Sequence, residues 1–201
     1  MKVNEIFYSL QGEGANTGTP AIFIRFSGCN LRCPFCDTQH QEGEFMSASD
    51  IVKRVSELNA INRSAAKPLI VYTGGEPTIC DLGVLTANLQ AKGYKVAIET
   101  NGTNNPEWLS LVDFITLSPK FEFCKHAVLA IKRATELKVV FNGQTDMNAY
   151  NDIIADFYYL QPCDTGDKEK NKAIIEGCIA FVKANPKWRL SLQTQKILGI
   201  L

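Results

Sequence analysis

Three cysteines, Cys29, Cys33 and Cys36, fall in one short run, Gly28-Cys-Asn-Leu-Arg-Cys-Pro-Phe-Cys-Asp37, with no fourth cysteine at matched spacing. Thiols spaced this way describe an incompletely ligated metal site. Iron–sulfur clusters are normally held by four thiolates, so a C-x3-C-x2-C run leaves one iron free to bind a substrate or cofactor directly. That arrangement is catalytic rather than structural. The same run admits a zinc reading, in which His40, four residues beyond Cys36, completes a tetrahedral Cys3His set. Spacing alone leaves both open. A second candidate is Gly74-Gly-Glu-Pro77, which follows the apolar run Leu69-Ile-Val-Tyr-Thr73. The run reads as a buried strand, so the glycines sit where the chain must turn closely around a ligand and Glu76 can accept hydrogen bonds beside them. In isolation this is also an ordinary strand-ending turn.

The elements that must position these residues follow a repeating grammar. Short β-rich runs span Ala21 to Ser27, Leu69 to Thr73, Lys95 to Glu99, Phe114 to Leu117, Leu137 to Phe141, Phe157 to Gln161 and Arg189 to Gln193. Between them lie helical patterns. Ser49 to Asn59 places Ile51, Val52, Val55 and Leu58 on one face behind a Ser47-x-x-Asp50 start, and Leu82 to Lys92 stops at Gly93. Ala127 to Glu136 and Asn171 to Ala184 have helical length, and Asn185-Pro186 ends the latter. Alternating strand and helix predicts a parallel sheet with right-handed crossovers, with too few repeats for a closed eight-unit barrel. The expected fold is therefore α/β, a partial (β/α) TIM-like barrel of about six parallel strands in one domain over residues 1–201. Chemistry in such folds gathers at the C-terminal strand ends. Polar, turn-forming segments stand there: Gly28 to Asp37, Gly74 to Pro77, Thr100 to Gly102, Ser118 to Lys120, Asn142 to Gln144 and Gln161 to Asp164.

Composition bounds the partners. The 21 basic and 21 acidic residues balance without a basic run, which argues against an extended nucleic-acid footprint. No apolar stretch has transmembrane length, and Met1-Lys-Val-Asn-Glu5 lacks the apolar core of a signal peptide, so the expected location is the cytoplasm, with no membrane partner. Seven cysteines in a reducing compartment are better explained by a metal at the clustered three than by disulfides; Cys80, Cys124, Cys163 and Cys178 read as small buried residues.

The cysteine run together with Gly74-Gly-Glu-Pro77 resembles the signature of radical S-adenosylmethionine enzymes, in which three cysteines hold a 4Fe-4S cluster and adenosylmethionine chelates the fourth iron. Phe7-Tyr-Ser-Leu-Gln-Gly-Glu-Gly14, Ala21-Ile-Phe-Ile-Arg25, Cys36-Asp-Thr38 and the ending Trp188-Arg-Leu-Ser-Leu-Gln-Thr-Gln-Lys-Ile-Leu-Gly-Ile-Leu201 closely resemble the 7-carboxy-7-deazaguanine synthase family. The resemblance runs nearly end to end. It implies conversion of 6-carboxy-5,6,7,8-tetrahydropterin into 7-carboxy-7-deazaguanine with loss of ammonia, toward deazapurines such as queuosine and archaeosine. A 5′-deoxyadenosyl radical removes hydrogen from substrate carbon 6, the ring contracts, and adenosylmethionine is regenerated.

Site roles follow from the same resemblance. Cys29, Cys33 and Cys36 would hold the cluster, with Phe35 beside the adenine and Asp37 adjoining the last ligand. Gly75 would meet the methionine moiety, and Ser118, Pro119, Lys120, Gln161, Pro162, Cys163 and Asp164 the rest of the cofactor. Leu10, Gln11 and Gly12 would contact the pterin edge, Thr73 the substrate, and Arg25 its carboxylate as a fork. Without the family, Arg25 reads as a structurally paired strand residue; Glu13 is a further pterin partner outside the core set. Thr38 would coordinate a Mg2+ that bridges to substrate, a cation suited to few protein ligands completed by water. The carboxylate of Leu201 would be a substrate ligand. A reductant such as flavodoxin or ferredoxin and a homodimer are further implications. The chain departs from the family at Gln193-Thr-Gln195, where Gln-Thr-His is frequent. A glycyl-radical activating enzyme with a protein substrate is the competing enzyme reading, and a zinc-stabilised binding module the competing non-enzyme reading.

Overall fold

A computed structural model describes residues 1–201 as one nine-stranded sheet with its three long helices packed on the outer face. The strands are β1 (Lys2–Leu10), β2 (Pro20–Phe26), β3 (Glu44–Phe45), β4 (Leu69–Gly74), β5 (Val96–Thr100), β6 (Phe114–Leu117), β7 (Arg133–Phe141), β8 (Ile154–Pro162) and β9 (Trp188–Leu190). Their order is β3-β1-β2-β4-β5-β6-β7-β8-β9, and the outermost strands β3 and β9 do not pair, so the barrel stays open. From β2 to β9 every pairing is parallel, whereas β1 runs antiparallel to both β2 and β3.

The helices are α1 (Ala48–Asn59), α2 (Gly83–Ala91), α3 (Lys168–Ala184) and α4 (Thr194–Leu198). The start of α1 is the expected capping box: the Ser47 hydroxyl accepts from the Asp50 amide at 3.2 Å while the Ser47 amide donates to the Asp50 carboxylate at 3.1 Å. Its buried residues Ile51, Val52 and Val55 meet the outer face of the sheet. Gly93, with φ +83°, closes α2 by donating to the Gln90 carbonyl at 2.8 Å.

Strand alternation separates two faces. Ile22, Ile24, Ile70, Tyr72, Val96, Ile98, Leu137 and Val139 point outward into the main core under the helices. The alternate positions face the concave side, where Phe23, Val71 and Ala97 form a small apolar floor. Next along the strands come Arg25, which pairs in register with Thr73, and Glu99, which pairs with Thr116; Thr116 in turn pairs with Glu136. The parallel register thus aligns polar side chains from several strands in one band across the concave face.

Two expectations need correction. The Ala127 to Glu136 helix does not form: residues 127–132 are irregular and Arg133 to Glu136 begin β7. Its helix-forming residues are overridden by pairing on both sides, Thr116 with Glu136 and Arg133 with Ile154, where Ala134 and Glu136 become buried. The Arg189 to Gln193 strand is Trp188–Leu190, and residues after Ser191 turn into α4 instead. The long strand β1 and helix α4, not foreseen as elements, carry the two chain ends to the same side of the site.

Candidate active site

The cysteine run occupies the loop between β2 and β3, closed at its base by the Gly28 amide donating to the His40 carbonyl at 2.7 Å. The strand end at β4 presses against it. The Glu76 amide donates to the Gly28 carbonyl at 2.8 Å, and a Cβ placed on Gly75 would lie 1.8 Å from that same oxygen. Gly74, at φ +125°, would likewise collide with the Phe26 backbone, at 2.2 Å. Glu76 is almost fully buried and its carboxylate is completely engaged, accepting from the Thr78 amide and hydroxyl, the Thr100 hydroxyl and the Asn101 amide at 2.6–3.1 Å. It fastens the end of β4 to the end of β5 and so shapes the glycine turn from behind. Asn101 and Thr103 extend this brace to Asn30 inside the cysteine loop, at 3.1 and 2.7 Å.

The three thiols border one cavity of about 640 Å³ together with Gly75, Ser118, Lys120, Gln161 and Asp164. No group of three His, Cys, Asp or Glu side chains converges on a common point, so the sulfur positions alone decide neither metal reading. The surroundings do fit a cluster with an open position: three thiols, a glycine turn that brings bare backbone against them, and polar strand ends opposite. Burial raises the Cys29 thiol and pushes Cys33 up to about 12, against the partial pull of Lys120, so ligation must displace their protons. Burial also lowers Lys120 to about 8; its ammonium donates to the Ser118 carbonyl and hydroxyl at 2.5 and 2.6 Å. Gln161 spends its carbonyl oxygen on the Ser191 hydroxyl at 3.1 Å, which leaves its amide nitrogen for the cavity.

A second cavity, about 1010 Å³, adjoins the first and is built from the chain ends and the antiparallel edge. Asp37, Thr38, His40, Thr73, Glu99, Glu13, Gln193 and Lys196 line both. At the seam lies Lys138, 4% exposed, whose ammonium contacts the carboxylate of Glu13 and lies 3.6 Å from that of Glu99. Burial alone would strip its charge, but the two carboxylates overcome that and raise it; reciprocally, Lys138 and two amides hold Glu13 ionised against its burial. Those amides are Gln193 and Gln195, donating to the other Glu13 oxygen at 3.2 and 3.0 Å. Gln195 thus presents a donor toward Glu13, and its Oε1, buried without a partner, lies against Gly12. Gln11 completes the set by donating to Glu99 at 3.0 Å.

Arg25 does pair structurally, through Nε to Glu5 at 2.6 Å with its guanidinium over the Phe7 ring, yet it also lines the larger cavity. The Leu201 terminus is held by the Ser9 hydroxyl at 2.6 Å, and Lys196 ties α4 to Asp37 at 2.8 Å and Asp164 at 3.2 Å.

The structure gathers the expected residues into two compartments. Cys29, Cys33, Phe35, Cys36, Gly75, Ser118, Lys120, Gln161, Pro162, Cys163 and Asp164 line the smaller cavity, and Leu10, Gln11, Gly12, Arg25 and Leu201 the larger. Asp37, Thr38 and Thr73 lie on both walls. Pro119 is the exception: it is buried and lines neither. Sequence reasoning missed Glu99, Lys138, Gln193 as a Glu13 partner, and Lys196. An ionisable residue at an inward position of an otherwise apolar strand was the available signal for Glu99 and Lys138.

Comparison with known proteins bears on all of this. The radical SAM superfamily model matches residues 23–113. A 7-carboxy-7-deazaguanine synthase of Bacteroides thetaiotaomicron is 46% identical over 200 residues, spanning 99% of this chain and 98% of the relative. One from Haemophilus influenzae is 38% identical over 98% of this chain and 92% of its own length. The crystal structure of QueE from Escherichia coli superposes with a TM-score of 0.73 at 31% identity, covering 95% of this chain and 92% of that one.

Proposed function

The chain belongs to the 7-carboxy-7-deazaguanine synthase family of the radical SAM superfamily, and from that membership we propose how its two cavities divide the work. It is a radical SAM lyase of 7-deazapurine biosynthesis that forms 7-carboxy-7-deazaguanine from 6-carboxy-5,6,7,8-tetrahydropterin, and its cofactors are a 4Fe-4S cluster and adenosylmethionine. A glycyl-radical activating role is not favoured by relatives that carry this one name throughout the first matches. When bound, the cluster and adenosylmethionine supply the radical that starts the ring contraction.

In our reading the smaller cavity is the cofactor compartment. Cys29, Cys33 and Cys36 hold the cluster; Gly75 lets the cofactor lie against backbone; Phe35, Asp37, Ser118, Lys120, Gln161, Pro162, Cys163 and Asp164 surround it. The larger cavity receives the pterin. Gln11 and Gly12, with Leu10, meet its polar edge, Arg25 binds its carboxylate, the Leu201 carboxylate is a further substrate ligand, and Lys138 keeps Glu13 ionised beside it. The observation that supports this division is the common wall at Thr38, Thr73 and Glu99, across which a substrate in one cavity and a cofactor in the other would lie side by side. Residues 1–201 act as one domain, with β1 as a substrate-binding segment and α4 closing the site.

Thr38, on that wall, is the proposed protein ligand of a Mg2+ shared with substrate, the remaining positions being filled by water and the substrate carboxylate. A flavodoxin- or ferredoxin-type reductant, a homodimer and a cytoplasmic setting complete the proposal. The test is anaerobic reconstitution with reductant, adenosylmethionine, Mg2+ and 6-carboxytetrahydropterin, followed by mass spectrometry. 7-Carboxy-7-deazaguanine should form with adenosylmethionine regenerated; cleavage of adenosylmethionine without that product would sink the substrate assignment. Thr38→Ala should weaken the Mg2+ response about 10–100-fold, and unchanged turnover and Mg2+ dependence would remove Thr38 as a ligand.

A further inference from the structure

One cysteine outside the ligand run stands against it. Cys124 Sγ lies 3.8 Å from Cys33 Sγ, although the residues are 91 positions apart. The neighbourhood is built: Cys124 is 4% exposed and belongs to a small satellite core with Leu31 and Ala127, against which Cys29, Cys33, Phe121 and Phe123 pack. Its backbone is pinned in a turn, the Cys124 amide donating to the Lys120 carbonyl and the Ala127 amide to the Cys124 carbonyl, both at 2.8 Å. Phe123 stacks edge-on against Phe35 of the cysteine loop, with ring centroids 4.5 Å apart, which holds the two segments together.

Between two thiols either sulfur can donate the hydrogen bond. Once Cys33 is a cluster ligand it has no proton, so the direction is settled: the Cys124 S–H donates and the Cys33 sulfur accepts. A donor to an ionised sulfur makes a stronger bond than one between neutral thiols. Hydrogen bonds to cluster sulfurs are among the factors that set cluster potential, because they stabilise the more negative, reduced form. The Leu31 amide does the same at Cys29 Sγ, at 3.4 Å. The Cys36 sulfur accepts no such bond and instead faces the Thr38 carbonyl at 3.8 Å.

We propose that Cys124 is a positioning residue of the cluster site: its thiol donates to the Cys33 sulfur and makes the cluster easier to reduce. This rests on the reading of Cys29, Cys33 and Cys36 as cluster ligands, and the two fail differently. Wild-type protein that is colourless and free of iron would overturn the ligand reading itself.

The test is a reductive titration of reconstituted protein followed by electron paramagnetic resonance, with iron and sulfide measured on each sample. Cys124→Ala removes the donor, and Cys124→Ser keeps one at similar size. The alanine protein should hold its iron and titrate at a more negative potential, with the serine protein nearer wild type. One common potential for all three at full iron content would overturn the proposal. If alanine fails to retain iron, Cys124→Val refills the volume without a donor. Retention by serine but by neither apolar variant supports the hydrogen bond, whereas equal loss in all three shows a packing role and overturns it.

Discussion

The two compartments are built by different means. The cofactor side is made of loops that each follow one parallel strand, and its key contacts are backbone against backbone, such as Gly75 against the Gly28 carbonyl. The substrate side joins the antiparallel strand β1 to the C-terminal helix α4, and its key contacts are between charges and amides: Glu13, Glu99, Lys138, Gln193 and Gln195. One side is thus shaped by steric exclusion of side chains and the other by electrostatic pairing. The difference teaches where each side tolerates change. A cradle fails by gaining an atom, while a charge cluster fails by losing one.

The largest effect expected is at the ligands. Cys33→Ala should bind no intact cluster and show only background adenosylmethionine cleavage, read from iron content and 5′-deoxyadenosine; cleavage at the wild-type rate would break the assignment of the smaller cavity. Next is Lys138→Met, which leaves the Glu13 carboxylate and the half-buried Glu99 without their cation. It should cost about 3–5 kcal/mol in denaturant unfolding. The pair also has a pH signature. Glu13 titrates below its ordinary value and Lys138 above its own, so their stabilisation is complete between the two ordinary values. It is lost as pH falls below the carboxylate range, or rises past the usual lysine range. That acid loss should be smaller in Lys138→Met; an unaltered acid limb would show that the pair adds nothing.

Gly75→Ala sharpens the contrast from the other side. The added methyl meets the Gly28 carbonyl, and overpacking of this kind costs about 1–3 kcal/mol. Its adenosylmethionine affinity should fall while substrate affinity changes less, as calorimetry on the separate ligands would reveal. Residues appended after Leu201 should act in the opposite sense, raising KM for the pterin about tenfold, or about 1.4 kcal/mol, with adenosylmethionine binding intact. Smallest is Ser9→Ala. Loss of its bond to the Leu201 terminus should raise KM a few-fold, about 0.5 kcal/mol.

Legibility followed the same division. Strands β2 and β4 to β8 and helices α1 and α2 were readable because period-2 and period-3.6 apolar patterns, a capping box at Ser47 and a C-terminal Gly93 are local signals. The segment from Ala127 to Glu136 was misread for the complementary reason. Its residues favour a helix, but β6 and β8 supply pairing partners that only the assembled sheet contains. Strand β1 escaped notice because most of its residues are half-buried, covered on one side only by the two-residue β3, which blurs the alternation.

By itself the amino-acid sequence determined the thiol set, the glycine turn after β4, the open parallel sheet and the strand ends where chemistry collects. Each depends on residue type and on spacing within a few positions, so the information sits in one place along the chain. Only the tertiary structure decided that Lys138 meets Glu13 across 125 residues, that Gln193 reaches the same carboxylate across 180, and that Cys124 stands beside Cys33. Those contacts are fixed by strand register and by the path of the chain ends. Register is a property of pairs of strands, and no single segment carries it.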